Sequence, residues 1–517
     1  MKLNVRIAFT AFLVIVILIC VYFIAGLLKS SSAEGNYNKQ PDHRRETEKP
    51  MEISIGMWGI QDCFDGDEVL TTIEDKFNVK FIPVDVNYTN WTQEYLKMAA
   101  ADSLPDIIVH DIIGSSTYSA WVEQNKISAI PTNLSEYPKL QDYMNLDYNQ
   151  NFQDDSGNFY FIPRLTYSDE KLWALDRCIV MRKDWLNKLN LSMPQNSEEF
   201  NTVLKAFTQS DFDGNGKQDT IGLATENLNT LEAIYLSVFP ELSNVERGWM
   251  QEDNQWIPVY ASKKAGAALN YAKELYSLGL LDKNFPYRTI NEAFSLFTDG
   301  KCGAISCQYF SLIKYWNKIK NNKDYMDKII VMTPWKTSDG NQYRFTSSLH
   351  WSESYFSAKV SDEKMKKIMQ IYDFLLSDEA SKLFYHQDDP SWTERNRSID
   401  IFSYLVSWNQ DTLYQYTPSS LDTYGADAIK YANQMIDWYS KNTERVNYNY
   451  DITFCSTPSK LRLPTYSTIQ ADMVQTIIGE EDAVAAWDKI LAKYRAESPM
   501  DKAINEVTER ANRQRIK

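Results

Sequence analysis

Histidine is scarce: the 517-residue chain carries only His43, His110, His350 and His386, scattered along its length. There is no H-E-x-x-H, no G-x-S-x-G and no Walker A loop, so the zincin, serine-hydrolase and phosphate-loop readings fall away. The six cysteines (Cys20, Cys63, Cys178, Cys302, Cys307, Cys455) form no C-x-x-C pair, which removes zinc ribbons and thioredoxin chemistry. Cys302 and Cys307 have opposite parity on a strand, leaving either a bridge across a turn or two buried thiols that behave as small hydrophobes. Basic clusters are missing as well. With a net charge of −15 the chain cannot release counterions from a nucleic acid, so no DNA or RNA partner is expected. No repeat of solenoid length appears. Acidic pairs are plentiful among 69 Asp and Glu, and a glycosidase acid/base pair stays open on sequence grounds.

What is present is an ordinary globular composition, 44% hydrophobic and 24% charged, in a chain too long for one core. The 14 Trp and 32 Tyr suit core packing and also suit stacking on sugar rings. At the N-terminus Lys2 and Arg6 precede an apolar run over 7–28, interrupted by Thr10, Tyr22 and Gly26. At about 1.5 Å per residue such a run spans a bilayer of about 30 Å. Positive charge before it places the following chain outside the cell. Cleavage near Ser31, Ser32 and Ala33 and lipidation at Cys20 are the alternatives. Ile19 before Cys20 makes a poor lipid-attachment site, and an uncleaved signal anchor fits best. Residues 29–50, rich in Ser, Asn, Lys, Glu and Arg, read as a flexible linker.

Order begins at Met51. Ile53, Ile55 and Met57 alternate as on a strand, a helix follows near 68–76, then a strand at 79–84, a helix at 91–101 and a short strand at 107–109. Strand, helix, strand, helix, strand points to right-handed parallel units. Farther on, Asn196 and Glu199 form a capping pair before Phe200, Val203, Leu204 and Phe207, and Gly279 stops another helix. Met365, Ile368, Met369, Tyr372, Leu375 and Leu376 form one apolar helical stripe, and the chain from Ala483 is helical by pattern.

The one motif with metal-binding spacing is the loop Asp211, Asp213, Asn215, Lys217, Asp219, with Gly216 at the sharp turn. Side-chain oxygens at positions 1, 3, 5 and 9 suit a hard cation such as calcium. Position 12, where an EF-hand has a bidentate Glu, is Gly222. The alternative is an empty Gly-rich turn stabilised by Asp and Asn.

The segment MRKDWLNKL at 181–189, Pro194, the capped helix and the loop at 211–223 together resemble family 1 extracellular solute-binding proteins, in particular the large Gram-positive type akin to alginate-oligosaccharide-binding proteins. Weaker supporting pieces are DSLPD at 102–106, DSGNFYFIP at 155–163, the run 275–282, Gly300 with Lys301, and IIGEE at 477–481. The resemblance covers about residues 51–510. It implies an α/β, two-lobed, periplasmic-binding-protein-like fold of type II, its lobes joined by several crossovers and preceded by the N-terminal transmembrane helix. The expected boundaries are 1–28 for the anchor, 29–50 for the linker, 51–165 with 307–352 for the first lobe, and 166–306 with 353–517 for the second. Crossings are expected just after Arg164, near 304–307 and near 348–356.

The function implied is that of the solute-binding subunit of an ABC importer on the extracellular face of the cell membrane. It would be a monomer that binds an oligosaccharide or similar small solute and hands it to permease subunits, with no catalysis. The family's structural calcium maps onto Asp211, Asp213, Asn215, Lys217 (through its carbonyl) and Asp219. Thr220 stands where relatives usually add an acid. Ligands in such folds sit against strand C-terminal ends and crossings. That nominates Trp58, Asp111, Arg164, Tyr309, Phe310 and Trp351, with aromatic faces stacking on sugar and Asp111 and Arg164 bonding hydroxyls or a uronate. Arg182 and Trp185 are expected to be structural. A sensor ectodomain and a surface polysaccharide-degrading enzyme are the competing classes.

Overall fold

The structure, a computed structural model, describes residues 49–87, 90–150, 152–154, 156–321, 325–384, 392, 396–406, 413–416, 418–446 and 457–514. The expected anchor at 1–28 and nearly all of the linker lie outside the described residues. Among the described residues no helix is long and apolar enough to cross a membrane.

Among the described residues thirteen strands occur in chain order: β1 (Met51–Trp58), β2 (Val79–Val86), β3 (Ile107–His110), β4 (Phe161–Leu165), β5 (Cys178–Arg182), β6 (Ile221–Thr225), β7 (Trp249–Glu252), β8 (Gln255–Pro258), β9 (Cys302–Cys307), β10 (Ile329–Val331), β11 (Tyr343–Arg344), β12 (His350–Phe356) and β13 (Glu444–Arg445). Two sheets dominate. The first has the order β2-β1-β3-β12-β4, and the second has the order β10-β5-β9-β6. In the first, β1 runs parallel to β2 and β3, while β12 runs antiparallel to both its neighbours. In the second, β6 and β9 are parallel and β5 is antiparallel to β9 and β10.

Local sequence explains the elements that frame these sheets. The helix Glu68–Phe77 is capped by Asp67, whose carboxylate accepts from the Leu70 N–H at 2.8 Å, and it stops at Asn78 in the left-handed conformation (φ 49°). Its Val69, Leu70 and Ile73 are buried in the first lobe. The helix Ser197–Thr208 starts at Asn196, which accepts from the Glu199 N–H at 2.9 Å, and buries Phe200, Val203, Leu204 and Phe207 as the spacing predicts. Each such side chain contributes about 1.5–3 kcal/mol when fully buried. That helix lies directly on β9: a Cβ at Gly303 would sit 2.1 Å from Phe207 Cδ2. Gly303→Ala is therefore expected to destabilise the protein by about 1–3 kcal/mol through overpacking. Urea unfolding measures it, and an unchanged midpoint would mean the contact is slack.

The second stretches of the two lobes differ from the expected boundaries. Of 307–352, only the start of β12 joins the first sheet. The helix Tyr309–Lys314 and β10 belong to the second lobe, where β10 pairs with β5. Of 353–517, the end of β12 and the helices Asp362–Leu375, Asp378–Phe384 and Ser398–Val406 pack on the first lobe instead. The reason is packing: Met365, Ile368, Met369 and Tyr372 meet a first-lobe core that includes Ile53, Val79 and Phe81. Helical periodicity reveals a buried stripe but not which core receives it.

The chain passes from one sheet to the other between β4 and β5 and between β10 and β12, and Val406 packs in the first-lobe core whereas Tyr414 packs in the second. The segment 304–307 is thus an interior strand, and 348–356 is mostly a central strand rather than a crossing. Cys302 and Cys307 are free, buried thiols near opposite ends of β9. Five strand residues span about 16 Å, well beyond the roughly 4.4–6.8 Å Cα separation of a disulfide. Burial pushes the Cys302 thiol up to about 12.

Candidate functional site

In the first sheet the C-terminal ends of β1, β3 and β4 and the start of antiparallel β12 lie along one edge. Four of the six expected ligand residues gather there: Trp58 ends β1, Asp111 follows β3, Arg164 is the penultimate residue of β4, and Trp351 is the second of β12. Trp58 is half-buried and lies at the centre of an aromatic wall, with ring centroids 4.9 Å from Trp91, 5.2 Å from Tyr404 and 6.0 Å from Trp351. Arg164 is fully buried beneath it. Its guanidinium lies 4.5 Å from the Trp351 ring and 4.6 Å from the Tyr404 ring, and its Nε donates to Ser352 Oγ at 2.8 Å. Burial pulls the Arg164 guanidinium down to about 10. Arg164 thus lies against the two rings, shielded from solvent in this structure.

Trp351 owes its direction to an irregularity in β12. The pairing of β12 with β4 shifts register between His350 and Glu353, and Ser352 has φ 71°. Beneath it, His350 Nε2 stands 2.7 Å from Glu353 Oε1, and Glu353 Oε2 accepts from the Ile112 N–H at 3.0 Å and the Tyr355 hydroxyl at 2.7 Å. This buried network ties β12 to the loop after β3. His110, ringed by Trp91, Tyr95 and Trp121, is held neutral: burial lowers it to about 4.

The corresponding edge of the second sheet is polar. Asp176 and Arg177 precede β5, Glu226 follows β6, and Gln308 follows β9. Gln308 joins the two acids: its side chain donates to Asp176 at 3.2 Å and its N–H to Glu226 at 2.7 Å. The Tyr167 hydroxyl donates to Asp176 at 2.8 Å. Burial pushes both carboxyls up to about 7, with these hydrogen bonds only partly opposing it. Arg177 pairs with Glu232 and donates to the Ser243 carbonyl, with its guanidinium 4.5 Å from the Phe345 ring. The two edges meet where Arg247 of the second lobe bonds both oxygens of Asp111 at 2.7 and 2.6 Å.

Tyr309 and Phe310 do not reach this site. They open the helix Tyr309–Lys314 inside the second-lobe core, at 0% and 3% exposure, with the Tyr309 hydroxyl donating to the Ala428 carbonyl at 3.2 Å. They were nominated because 304–307 reads as a crossing, and it is instead the interior strand β9. The same argument applied to β6 and β9 as strands of the second lobe finds Glu226 and Gln308. Trp91, Tyr404 and Arg247 carry no local signal.

The loop after Ser197–Thr208 is separate from the cleft edge. Gly214 and Gly216, at φ 73° and 80°, curl it so that Asp211 accepts from the N–H groups of Asn215 and Gly216. The Asn215 amide nitrogen donates to Asp213 and Asp219, each at 3.0 Å, and the Lys217 N–H donates to the Asn215 side-chain oxygen at 2.8 Å. Backbone N–H groups, that of Gly216 first, hold the Asp211 carboxyl below its usual range. Among the described residues no three carboxylate, thiol or imidazole groups are gathered as a metal cluster. The donor set is nonetheless all oxygen, as a hard cation requires. Phe212 stacks on Trp185 at 3.9 Å, and the Thr220 hydroxyl sits 2.6 Å from the Phe207 carbonyl. Thr220 thus secures the loop to the preceding helix. Gly222 lies in β6 with its Cα so close to Leu280 that a Cβ would be 2.7 Å from that carbonyl, so no acidic side chain fits there.

This architecture, two α/β lobes meeting at strand ends, is a fold shared with solved solute-binding proteins. No family model matches the sequence. The chain is 28% identical over 296 residues to the polygalacturonan/rhamnogalacturonan-binding protein YtcQ of Bacillus subtilis (strain 168), covering 56% of each chain. The solved structure of the Streptococcus pneumoniae ABC-transporter substrate-binding protein FusA in complex with kestose superposes with a TM-score of 0.66 at 15% identity, over 90% of this chain and 99% of that one. The alginate-binding protein AlgQ2 without calcium ion superposes with a TM-score of 0.65 at 16% identity, over 89% and 98%. The chain spans about half the length of the curated relatives it matches. These relatives are binding proteins rather than enzymes, and the structural likeness establishes the fold.

Proposed function

We propose that this chain is the solute-binding subunit of an ABC importer, closing on an oligosaccharide or sugar-like solute between its lobes and delivering it to permease subunits. The carrying observation is the aromatic wall of Trp58, Trp91, Trp351 and Tyr404 at the strand ends of the first sheet, with the carboxyl and amide groups of Asp176, Glu226 and Gln308 at the strand ends of the second. Rings stack on the apolar faces of sugars, while Asp176, Glu226 and Gln308 accept from hydroxyls. The kinship with carbohydrate-binding proteins supports the same ligand class. The protein works on the extracellular face of the membrane, held by residues 1–28, as a monomer without catalysis. A thermal-shift screen of the full chain against galacturonan, fructan and xylan oligosaccharides tests the reading. A rise in Tm with no change in the sugar is expected, whereas cleavage products would establish an enzyme.

Calcium belongs to the same proposal, as a structural clip at Asp211, Asp213, Asn215 and Asp219 with the Lys217 carbonyl. A cation there would take over the acceptors that now serve N–H groups. Calcium added to chelator-treated protein at a hundred times its Kd is expected to stabilise the fold by about 2.7 kcal/mol, read as a higher Tm. Asp213→Ala should erase that gain and leave sugar specificity intact. A wild type indifferent to calcium means the loop is a self-sufficient turn.

A further inference from the structure

The contact between Asp111 and Arg247 is anchored on both sides. Asp111 follows β3, and the next residue, Ile112, is bonded through its N–H to Glu353 of β12. Arg247 is presented by a turn in which its own N–H donates to Asn244 Oδ1 at 3.2 Å and the Gly248 N–H donates to the Asn244 carbonyl at 2.8 Å. A Cβ on Gly248 would lie 2.5 Å from that carbonyl and 2.8 Å from Val259 Cγ1, so the turn is pressed against the second-lobe core. Each partner is thus rigid with respect to its own lobe, and any separation of the lobes at this point must break the pair.

We infer that Arg247 is an affinity-determining residue, a clamp from the second lobe onto Asp111 that sets how much of the protein is closed before ligand arrives. The inference rests on the solute-binding reading above, and it replaces the expected role of Asp111 as a ligand for sugar hydroxyls. Both Asp111 oxygens are engaged by Arg247 Nη2, and the two side chains are only 12% and 11% exposed. A pair so shielded from water is little weakened by salt, unlike a surface ion pair. Arg247 Nη1 also reaches the His350 carbonyl at 3.4 Å, immediately before Trp351, so the clamp is fastened beside the aromatic wall. Apparent affinity scales with the fraction of protein already in the binding-competent form. Loss of the clamp therefore weakens binding without removing a ligand contact.

Small-angle X-ray scattering of the ligand-free full chain tests the clamp without reference to any sugar. Arg247→Ala and Asp111→Ala are each expected to enlarge the radius of gyration to a common value, and the double variant to go no further. The exchanged pair, Asp111→Arg with Arg247→Asp, is expected to recover part of the compaction and guards against a merely misfolded single variant. With a galacturonan trimer as probe, either single change should weaken binding roughly tenfold, with no added loss in the double variant. Single variants as compact as wild type would overturn the inference, and so would losses in affinity that multiply. Failure of the trimer to bind wild type would count against the ligand class alone, leaving the scattering result to decide the clamp.

Discussion

Raising the pH from 5 to 8 is expected to cost the wild type about 3–5 kcal/mol more stability than it costs the Asp176→Asn, Glu226→Gln double variant. Both carboxyls are raised to about 7 in the folded protein, chiefly by burial, from ordinary values of 3.8 and 4.5. The sign follows from proton counting. Between the unfolded and folded values the native state holds protons that the unfolded chain has released, so stability falls as pH rises through that window. Below the unfolded values the two states are protonated alike and the contribution is fully present; above about 7 it is gone. His110, lowered to about 4 by burial, acts in the opposite direction below its ordinary 6.5. Comparing wild type with the double variant cancels that contribution. Urea unfolding at each pH measures the difference, and parallel pH profiles for the two proteins would show that the acids are solvated in the native state.

Trp58→Ala and Trp351→Ala are each expected to weaken affinity for a bound oligosaccharide roughly tenfold. A ring stacked on a sugar face buries tens of square ångströms, worth on the order of 1–2 kcal/mol at about 25 cal/mol per Å², and about 1.4 kcal/mol is a factor of ten. The two rings lie 6.0 Å apart in one cluster, so the double variant should fall short of the product of the single effects. Arg164→Gln should weaken binding, because it removes the cation lying against Trp351 and Tyr404. Isothermal titration measures all three. Unchanged affinity in both tryptophan variants would place the ligand elsewhere.

The first three strands were legible because Ile53, Ile55 and Met57 alternate and because strand-like and helix-like patterns take turns from 51 to 109. The capped helix at 197–208 was legible because its apolar spacing and its Asn cap agree. Strand ends led to Trp58 and Asp111 because the direction of a parallel strand fixes which end faces the site, whereas Trp351 was nominated from an expected crossing at 348–356 that is mostly strand β12. The expected crossing at 304–307 misplaced Tyr309 and Phe310, because that segment is an interior strand of the second sheet and the two residues open the helix after it. Partners supplied from remote segments left no trace in the local pattern: Tyr404 reaches the wall from the helix Ser398–Val406, and Arg247 reaches Asp111 across the cleft. Arg164 was found, but its burial was not, since sequence does not say that two rings close over it.

The position of β12 in the first sheet bears on the order in which the chain can fold during synthesis. β3 and β4 never touch as sheet neighbours; β12 lies between them and is drawn from residues 350–356. As the polypeptide emerges, β1–β3 therefore present an open edge at β3, and β4 has no partner, for almost two hundred further residues. The second sheet acquires its last strand, β10, by Val331. The sheet that begins first is thus completed later than the sheet inserted within it, although the second lobe still awaits the core residues supplied by 414–439 and 469–504. Long-range strand pairing of this kind slows folding, so the nascent chain keeps its first sheet unfinished until all four strands of the second have been made.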